Sequence, residues 1–330
     1  MFRVGIVGCG GIAQVHAAVL DRLEETRLAA CADIVPERAA EMAGRSGARA
    51  YGSLEEMLAA EKLDAVHLCT PHHLHAPMAE TAAEAGVAVL TEKPPAISRE
   101  QWETLEKAAE KVPVGVCLQN RYNPNVQEAR RLIENGAYGS VLGARAFVTW
   151  QRDAAYYTDS PWRGAWATEG GSALINQSIH TLDLLVTLLG RPEAAAGSMS
   201  NRHLKNVIET EDTVEAYLTL GGRPALFYAS NAYAANAPVL LDIQMERAVL
   251  RLEGEGMEIR LPDRTEYRAF PQPETLGKGY WGNGHFPCIR DFYRCLASGA
   301  PYPNRLEEVR DTVMLMLDLY GQGKKSLALS

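Results

Sequence analysis

The amino-acid sequence predicts a chain in two parts: an α/β Rossmann domain with a parallel, doubly wound sheet over 1–120, then an α+β domain with a large, open-faced, mostly antiparallel sheet over 121–330. Three observations lead there. Short apolar runs alternate with Ala-, Leu- and Glu-rich stretches of helical period through the first third. A glycine-rich turn follows the first of those runs, and beyond Asn120 stretches of alternating apolar and polar residues take over. A length of 330 residues suits two cores better than one.

The predicted strands of the first part are 4–8, 28–33, 65–70, 87–91 and 114–118, nearly continuous in apolar character as strands buried on both faces are. Helices are predicted at 12–23, 53–60, 74–85 and 98–111, so strand and helix alternate as in βαβ units. Such a sheet binds ligands beyond the carboxyl ends of its strands, where the strand order reverses. The second part is predicted to hold a helix at 125–135 and strands at 141–151, 214–220, 225–232, 239–247 and 257–261. Between them, EGGSALINQSIHTLDLLVTLLG (169–190) reads as one largely buried helix, starting at Ser172 and stopped by Gly190-Arg191-Pro192. A sheet of that size packs against helices or another subunit, so a homodimer or homotetramer is expected.

Composition narrows the function. With 47% hydrophobic and 22% charged residues the chain reads as globular, and no window approaches the apolar length of a membrane helix. A net charge of −8, with no run of Lys or Arg beyond a pair, argues against nucleic acid or an anionic bilayer and leaves a small neutral or anionic metabolite. Six cysteines in apolar runs, without a CxxC pair, read as buried reduced thiols rather than a disulfide framework or a zinc site. The opening FRVGIVGCG reads as a strand and not a leader, and a cytoplasmic protein is expected.

Four motifs carry chemistry. The first strand ends in GCGGIA, a GxGxxA turn in which Gly8, Gly10, Gly11, Ile12 and Ala13 face a dinucleotide pyrophosphate. Asp33 closes the next strand as an acceptor for the ribose hydroxyls; its carboxylate repels a 2′-phosphate and Ile34 offers no cation, which favours NAD over NADP. CTPHHLH (69–75) ends the third predicted strand; its adjacent histidines point apart, so no metal is assigned, and Thr70, Pro71, His72 and His75 are placed beside the cofactor. In LTEKPPAIS (90–98), Pro94 restricts Lys93 to extended conformations and aims its ammonium where a nicotinamide would lie. On the helix of 169–190, Asn176, His180, Asp183 and Thr187 form a polar row that must pair internally or meet a ligand.

Together, GCGGIA, CTPHHLH, EKP and GGSALINQSIHTLD resemble the glucose–fructose oxidoreductase, inositol dehydrogenase and MocA family across essentially the whole chain. The resemblance implies NAD-dependent or NADP-dependent hydride exchange with a secondary alcohol of a sugar, sugar nucleotide or cyclitol. It implies Lys93 and His180 as the catalytic pair, with Glu92 near the nicotinamide and Asn120 among the cofactor residues. Asn176 stands where inositol dehydrogenase-like members have aspartate, which weakens myo-inositol and turns the expectation toward C3 of a pyranoside or nucleotide-linked amino sugar. Trp162, Trp166 or Tyr157 are expected to stack on the sugar, Arg163 or Arg121 to pair with its carboxylate or phosphate, and His285, after Tyr280-Trp281-Gly282-Asn283-Gly284, to border the same pocket. Two other readings stay open: a redox glycosidase that keeps its NAD, and a non-catalytic dinucleotide-binding regulator.

Overall fold

The computed structural model describes residues 1–271 and 284–327, and the chain divides into two compact units. The first holds six parallel strands, β1 (Phe2–Val7), β2 (Thr26–Ala32), β3 (Arg49–Tyr51), β4 (Ala65–Leu68), β5 (Ala88–Thr91) and β6 (Val114–Val116), in the order β3-β2-β1-β4-β5-β6. Five helices connect them: α1 (Gly11–Leu20), α2 (Pro36–Ser46), α3 (Leu54–Ala60), α4 (His75–Glu84) and α5 (Arg99–Ala109). Local chemistry sets their ends. Ser53 and Ser98 cap α3 and α5, their hydroxyls accepting Glu56 N–H at 3.1 Å and Gln101 N–H at 3.2 Å, while Pro36 opens α2 and Gly47 closes it in the left-handed region. The sheet is dry, with Val4, Ile6, Leu68 and Leu90 fully buried.

This unit takes in Met1–Gln119 and, among the described residues, also 284–309. The return differs from the single linear division expected at 120/121, and its cause is the helix His285–Ser298, which buries Cys288, Ile289, Phe292, Tyr293 and Cys295. Tyr293 packs on Phe2 with ring centroids 5.3 Å apart, and Tyr302 lies so close to β6 that a Cβ on Gly115 would come within 2.8 Å of its ring.

The second unit carries eight strands: β7 (Val141–Thr149), β8 (Pro192–Ser200), β9 (Thr213–Leu220), β10 (Arg223–Ser230), β11 (Leu240–Met245), β12 (Val249–Glu253), β13 (Gly256–Arg260) and β14 (Thr265–Arg268). Their order is β14-β13-β12-β11-β7-β10-β9-β8, and every pairing is antiparallel except β7 with β10. With them come α6 (Pro124–Glu134), the short α7 (Ala154–Thr158) and α8 (Ile179–Leu189). One sheet face is core, including Ala146, Val148, Phe227, Leu218 and Ile243. The other carries the cross-strand row Tyr217, Leu226, Arg145, Asp242, Arg251, Glu258 and Tyr267. On it Asp242 binds both Arg145 and Arg251, while Tyr217, Leu226 and Tyr267 stay 57%, 46% and 69% exposed.

The helix expected over 172–189 forms in two pieces, a π-helical turn at Ala173–Ser178 and then α8. Its first N–H groups are satisfied from outside: Ser172 and Leu174 donate to Glu211 Oε1 at 3.0 and 2.9 Å, and Ile175 donates to Tyr320 Oη at 3.1 Å. Tyr320 fits because Gly171, at φ +157°, leaves room that a Cβ would fill 1.9 Å from the phenol oxygen. Among the described residues no helix is long and apolar enough to cross a membrane. All six cysteines are free and buried.

Candidate active site

In the first unit the residues of interest gather at the carboxyl edge of the sheet, held there because the ladder continues past the strand ends. Gly8 donates to Ala32 O at 2.8 Å, Cys69 to Val7 O at 2.8 Å, Glu92 to Leu68 O at 2.9 Å and Cys117 to Thr91 O at 2.8 Å. The order reverses between β1 and β4, so the glycine turn, Asp33, Thr70 and the Glu92-Lys93 turn flank the switch point. Gly8 is required by geometry: at φ +83° its Cβ would lie 2.7 Å from Cys69 O. Gly10 and Gly11 are different, for a Cβ on either would meet nothing within 4 Å. They leave open a cradle in front of α1, whose N-cap Gly10 has no side chain to occupy the helix's first N–H groups.

That cradle fits a dinucleotide pyrophosphate. Asp33 is buried beside it and accepts Cys9 N–H at 2.7 Å and Val35 N–H at 2.8 Å, one on each oxygen, which fixes the carboxylate and leaves further lone pairs for ribose hydroxyls. Ile34 is 91% exposed, so no cation follows Asp33. Asn120 Oδ1, in the 3₁₀ turn Gln119–Tyr122, is buried and accepts no hydrogen bond among the described residues. His75 is a different case. Fully buried, it has Pro94 O 2.7 Å from Nδ1 and Thr70 O 2.8 Å from Nε2, and its one N–H donates to one of these carbonyls, so it sits between the CTP turn and the EKP turn. His72, also buried, lies 6.0 Å away ring to ring.

Lys93 is half-buried, and its bond to Pro94 is cis. Behind it runs a buried polar chain that sequence reasoning missed. Glu92 Oε1 meets His16 Nε2 at 2.9 Å, His16 Nδ1 meets His67 Nδ1 at 2.8 Å, and His67 Nε2 meets Tyr293 Oη at 2.8 Å. Two protonation patterns satisfy every link: His16 as imidazolium donating at both nitrogens, with neutral His67 accepting at Nδ1 and donating from Nε2, or both rings neutral, with His67 Nδ1–H donating to His16 and the Tyr293 hydroxyl donating to His67 Nε2; the charge around His16 selects the first. The electrostatics agree. Burial opposes charge on His16, but Cys69 and Glu92 outweigh it and raise its pKa to about 10. Burial also opposes the Glu92 carboxylate, yet His16 holds it well below the usual range, whereas burial and the charge on His16 keep His67 neutral. Cys117 completes a triad of potential ligand atoms with His16 and Glu92, all within 4.8 Å, although His16 and Glu92 already bind one another. His285 belongs here too: it is buried, its ring lies 6.3 Å from that of His16, and burial lowers its pKa to about 4. Tyr280, Trp281 and Asn283, which precede it, lie outside the described residues.

In the second unit the polar row divides. Asp183 faces inward, where Arg121 binds it through Nε at 2.7 Å and Nη2 at 2.6 Å and Thr312 Oγ1 donates at 2.8 Å. Arg121 is thus engaged by an internal carboxylate and is not the cation expected for a substrate anion. Tyr157 is also corrected: it is buried, with its hydroxyl on Ser172 Oγ at 2.7 Å and Asn231 Nδ2 at 2.8 Å, and no ring face is offered to a sugar. Trp162 is half-buried. Arg163 stacks on Tyr156, its guanidinium 4.1 Å from the ring centroid, and its buried Nε makes no hydrogen bond among the described residues. Trp166 packs edge-on against Tyr320 at 5.6 Å, with Lys324 Nζ 4.4 Å over its ring. Asn176 and His180 are half-buried on successive turns. Asn176 is held by Glu169, whose Oε1 lies 2.5 Å from its Nδ2. Burial pushes Glu169 up to about 7, and Glu211, fully buried, is raised as well.

Comparison with known proteins agrees with this geometry. The family model described as "Oxidoreductase family, NAD-binding Rossmann fold" matches residues 2–120, and the "GFO/IDH/MocA C-terminal domain" model matches 126–251. Among curated relatives, an inositol 2-dehydrogenase of Rhizobium meliloti is 30% identical over 57% of this chain and 55% of its own length. A D-glucoside 3-dehydrogenase of Escherichia coli is 32% identical over 58% and 54%, so the chain spans a little over half of these relatives. The solved WlbA dehydrogenase of Bordetella pertussis, in complex with NADH and UDP-GlcNAcA, superposes with a TM-score of 0.85 at 28% identity, covering 99% of this chain and 97% of that one. An oxidoreductase from Agrobacterium radiobacter shares the fold at a TM-score of 0.88, 21% identity and coverage of 98% and 96%. With a Rossmann unit built around GCGGIA and EKP, and a second unit matched by the family's own C-terminal model, this chain belongs to the GFO/IDH/MocA family of NAD-binding oxidoreductases.

Proposed function

We propose that the protein is an NAD-dependent dehydrogenase acting on a secondary alcohol of a pyranoside, sugar nucleotide or cyclitol, with C3 of a pyranoside as the site of oxidation. The observation that carries the reading is Glu92-Lys93 at the carboxyl end of β5, beside the open glycine cradle, with a carboxylate held ionised next to the lysine. Relatives named as inositol and glucoside dehydrogenases support the substrate class, and the UDP-GlcNAcA complex of WlbA supports an amino-sugar version of it. When bound, NAD supplies the acceptor for the hydride that leaves the alcohol carbon. Lys93 hydrogen-bonds the hydroxyl oxygen, His180 takes its proton, and the carbon becomes a carbonyl.

The same reading makes the exposed face of the second sheet, with Tyr217, Leu226 and Tyr267, a contact between copies in a homodimer or homotetramer. Free cysteines throughout suit a reducing, cytoplasmic setting. The direct test is incubation with NAD and a panel of glycosides, nucleotide sugars and cyclitols, following NADH absorbance. Stoichiometric NADH formation with at least one of them is expected, and a flat trace across the panel would sink the reading. For the cofactor, Asp33→Asn keeps an acceptor for Cys9 N–H but removes the charge. NAD is expected to weaken by about tenfold and NADP to tighten, so that calorimetric titration shows the preference narrowed.

A further inference from the structure

Two arginines reach the ring of Tyr156, and the chain uses them differently. Arg152, its guanidinium 5.2 Å from the ring centroid, is bound up within the protein: Nε and Nη2 donate to Gln177 Oε1 at 3.0 and 2.7 Å, and Nη1 donates to Gln151 O at 2.6 Å and Asn236 Oδ1 at 3.1 Å. Arg163 lies closer, 4.1 Å from the same centroid and 5.4 Å from that of Trp162. Yet among the described residues it makes one hydrogen bond, from Nη1 to Tyr156 O at 3.0 Å, and no ion pair, while its Nε is buried without an acceptor. A guanidinium carries five N–H groups and stays charged at any pH a protein meets, so a half-buried one with most of its donors unmet is unfavourable until an anion arrives.

Resting on the dehydrogenase reading above, we infer that Arg163 is a substrate-binding residue that receives a carboxylate, and that the sugar oxidised is a hexuronic acid, free or nucleotide-linked. The platform under the guanidinium is firm. The Tyr156 hydroxyl accepts Gln177 Nε2–H at 2.9 Å, and its ring meets Tyr157 edge-on with centroids 5.0 Å apart. The same hydroxyl lies 3.5 Å from Asn176 Nδ2, and Asn176 stands one turn before His180. The unmet cation is therefore one aromatic ring away from the start of the helix that carries the proposed base. A hexuronic acid has its carboxylate on C6, on the side of the ring away from C3, and so brings an anion to one place while C3 is at the other.

The fork favours a carboxylate over a phosphate. With Tyr156 stacked on the guanidinium, the edge is what remains open, and two coplanar oxygens match it bidentately. A phosphate carries a second charge. Glu169 is close enough for Arg163 to favour its ionised form, so that extra charge at the fork would be repelled, and the oxygens of Glu169 are themselves turned to Gly164 N–H and Asn176 Nδ2.

The test compares C6 carboxylate, hydroxyl and phosphate on one sugar. Methyl glucuronide, methyl glucoside and methyl glucoside 6-phosphate, and separately UDP-glucuronic acid and UDP-glucose, are titrated calorimetrically into protein saturated with NADH, where no oxidation occurs. On at least one scaffold the carboxylate is expected to bind the wild type at least about tenfold more tightly than the hydroxyl. Arg163→Met is expected to remove that preference, and Arg163→Lys to restore part of it, since the ammonium keeps the charge but not the fork. In turnover the loss appears in KM for the uronate, with kcat less affected. Three outcomes overturn the proposal: no tighter binding of the carboxylate on either scaffold, tighter binding of the phosphate than of the carboxylate, or a preference that survives in Arg163→Met. The first two need wild-type protein alone and so stand even if the variant does not fold. If the carboxylate preference and its loss in Arg163→Met are seen but no sugar reduces NAD, the dehydrogenase reading fails alone. If sugars are oxidised without regard to the carboxylate, the assignment of Arg163 fails alone.

Discussion

Replacing Lys93 with alanine is expected to lower kcat by at least about a hundredfold while the dissociation constant of NAD stays near that of the wild type. The asymmetry follows from where the lysine sits. The cradle is made by Gly8, Gly10, Gly11 and Asp33 at the ends of β1 and β2, whereas Lys93 follows β5, so removing the ammonium leaves the glycine turn and the Asp33 carboxylate in place. The reacting oxygen loses a donor that strengthens as charge develops on it, and such a loss appears in kcat. Glu92 sharpens the effect. Its carboxylate remains ionised far below neutrality and keeps positive charge favourable beside it. His180→Ala is expected to fall by a similar factor, because the proton then has no acceptor. Lys93→Arg separates charge from shape: the guanidinium keeps the charge but not the compact ammonium, so turnover recovers only in part. Single-turnover measurements with saturating NAD and sugar read these effects free of binding. An alanine variant at either position with undiminished turnover would remove it from the mechanism.

What the sequence disclosed follows the range of the interactions. The glycine turn, the strands of the Rossmann sheet and the cap at Ser98 are local, and the residues that make them lie within a few positions of one another. Helix α2 was not anticipated because it buries only Ala39, Met42 and Ala43, a stripe too thin to stand out from its polar neighbours. β3 is three residues long and has no alternation to read. Site errors came from distance along the chain. Arg121 looked like a cation awaiting an anion because its partner Asp183 lies 62 residues on, and Tyr157 looked like a stacking ring because Asn231, which binds its hydroxyl, lies 74 residues on. The π-helical turn before α8 depends on Glu211 and Tyr320, partners that no periodicity within 169–190 reveals. By contrast the EGG preceding Ser172 was visible, and a glutamate next to two glycines at a helix start was the one sign pointing to Glu169.

The buried pair of His16 and Glu92 should dominate the stability of the Rossmann unit. Both are buried and 2.9 Å apart, so His16→Ala strands a carboxylate that burial already disfavours and removes the partner that holds it ionised. Breaking such a pair costs about 3–5 kcal/mol, which corresponds to a fall in Tm on the order of 10 °C for a unit of this size. Neutralising the stranded partner relieves most of it: His16→Ala/Glu92→Gln is expected to recover at least about 2 kcal/mol of the loss, a coupling that denaturant titration of the four-member cycle measures. The pH dependence has a definite sign. His16 has its pKa raised from 6.5 to about 10 on folding, so its contribution is complete below about 6.5 and disappears as pH rises through 10. Glu92 is depressed from 4.5, so its contribution is complete above that value and disappears as pH falls through the lowered pKa. The pair therefore gives its full support between 4.5 and 6.5, with a decline toward alkaline pH that the double variant lacks. Additive losses in the cycle, or an alkaline decline that survives in the double variant, would show that the chain from Glu92 to Tyr293 does not bind as an ion pair.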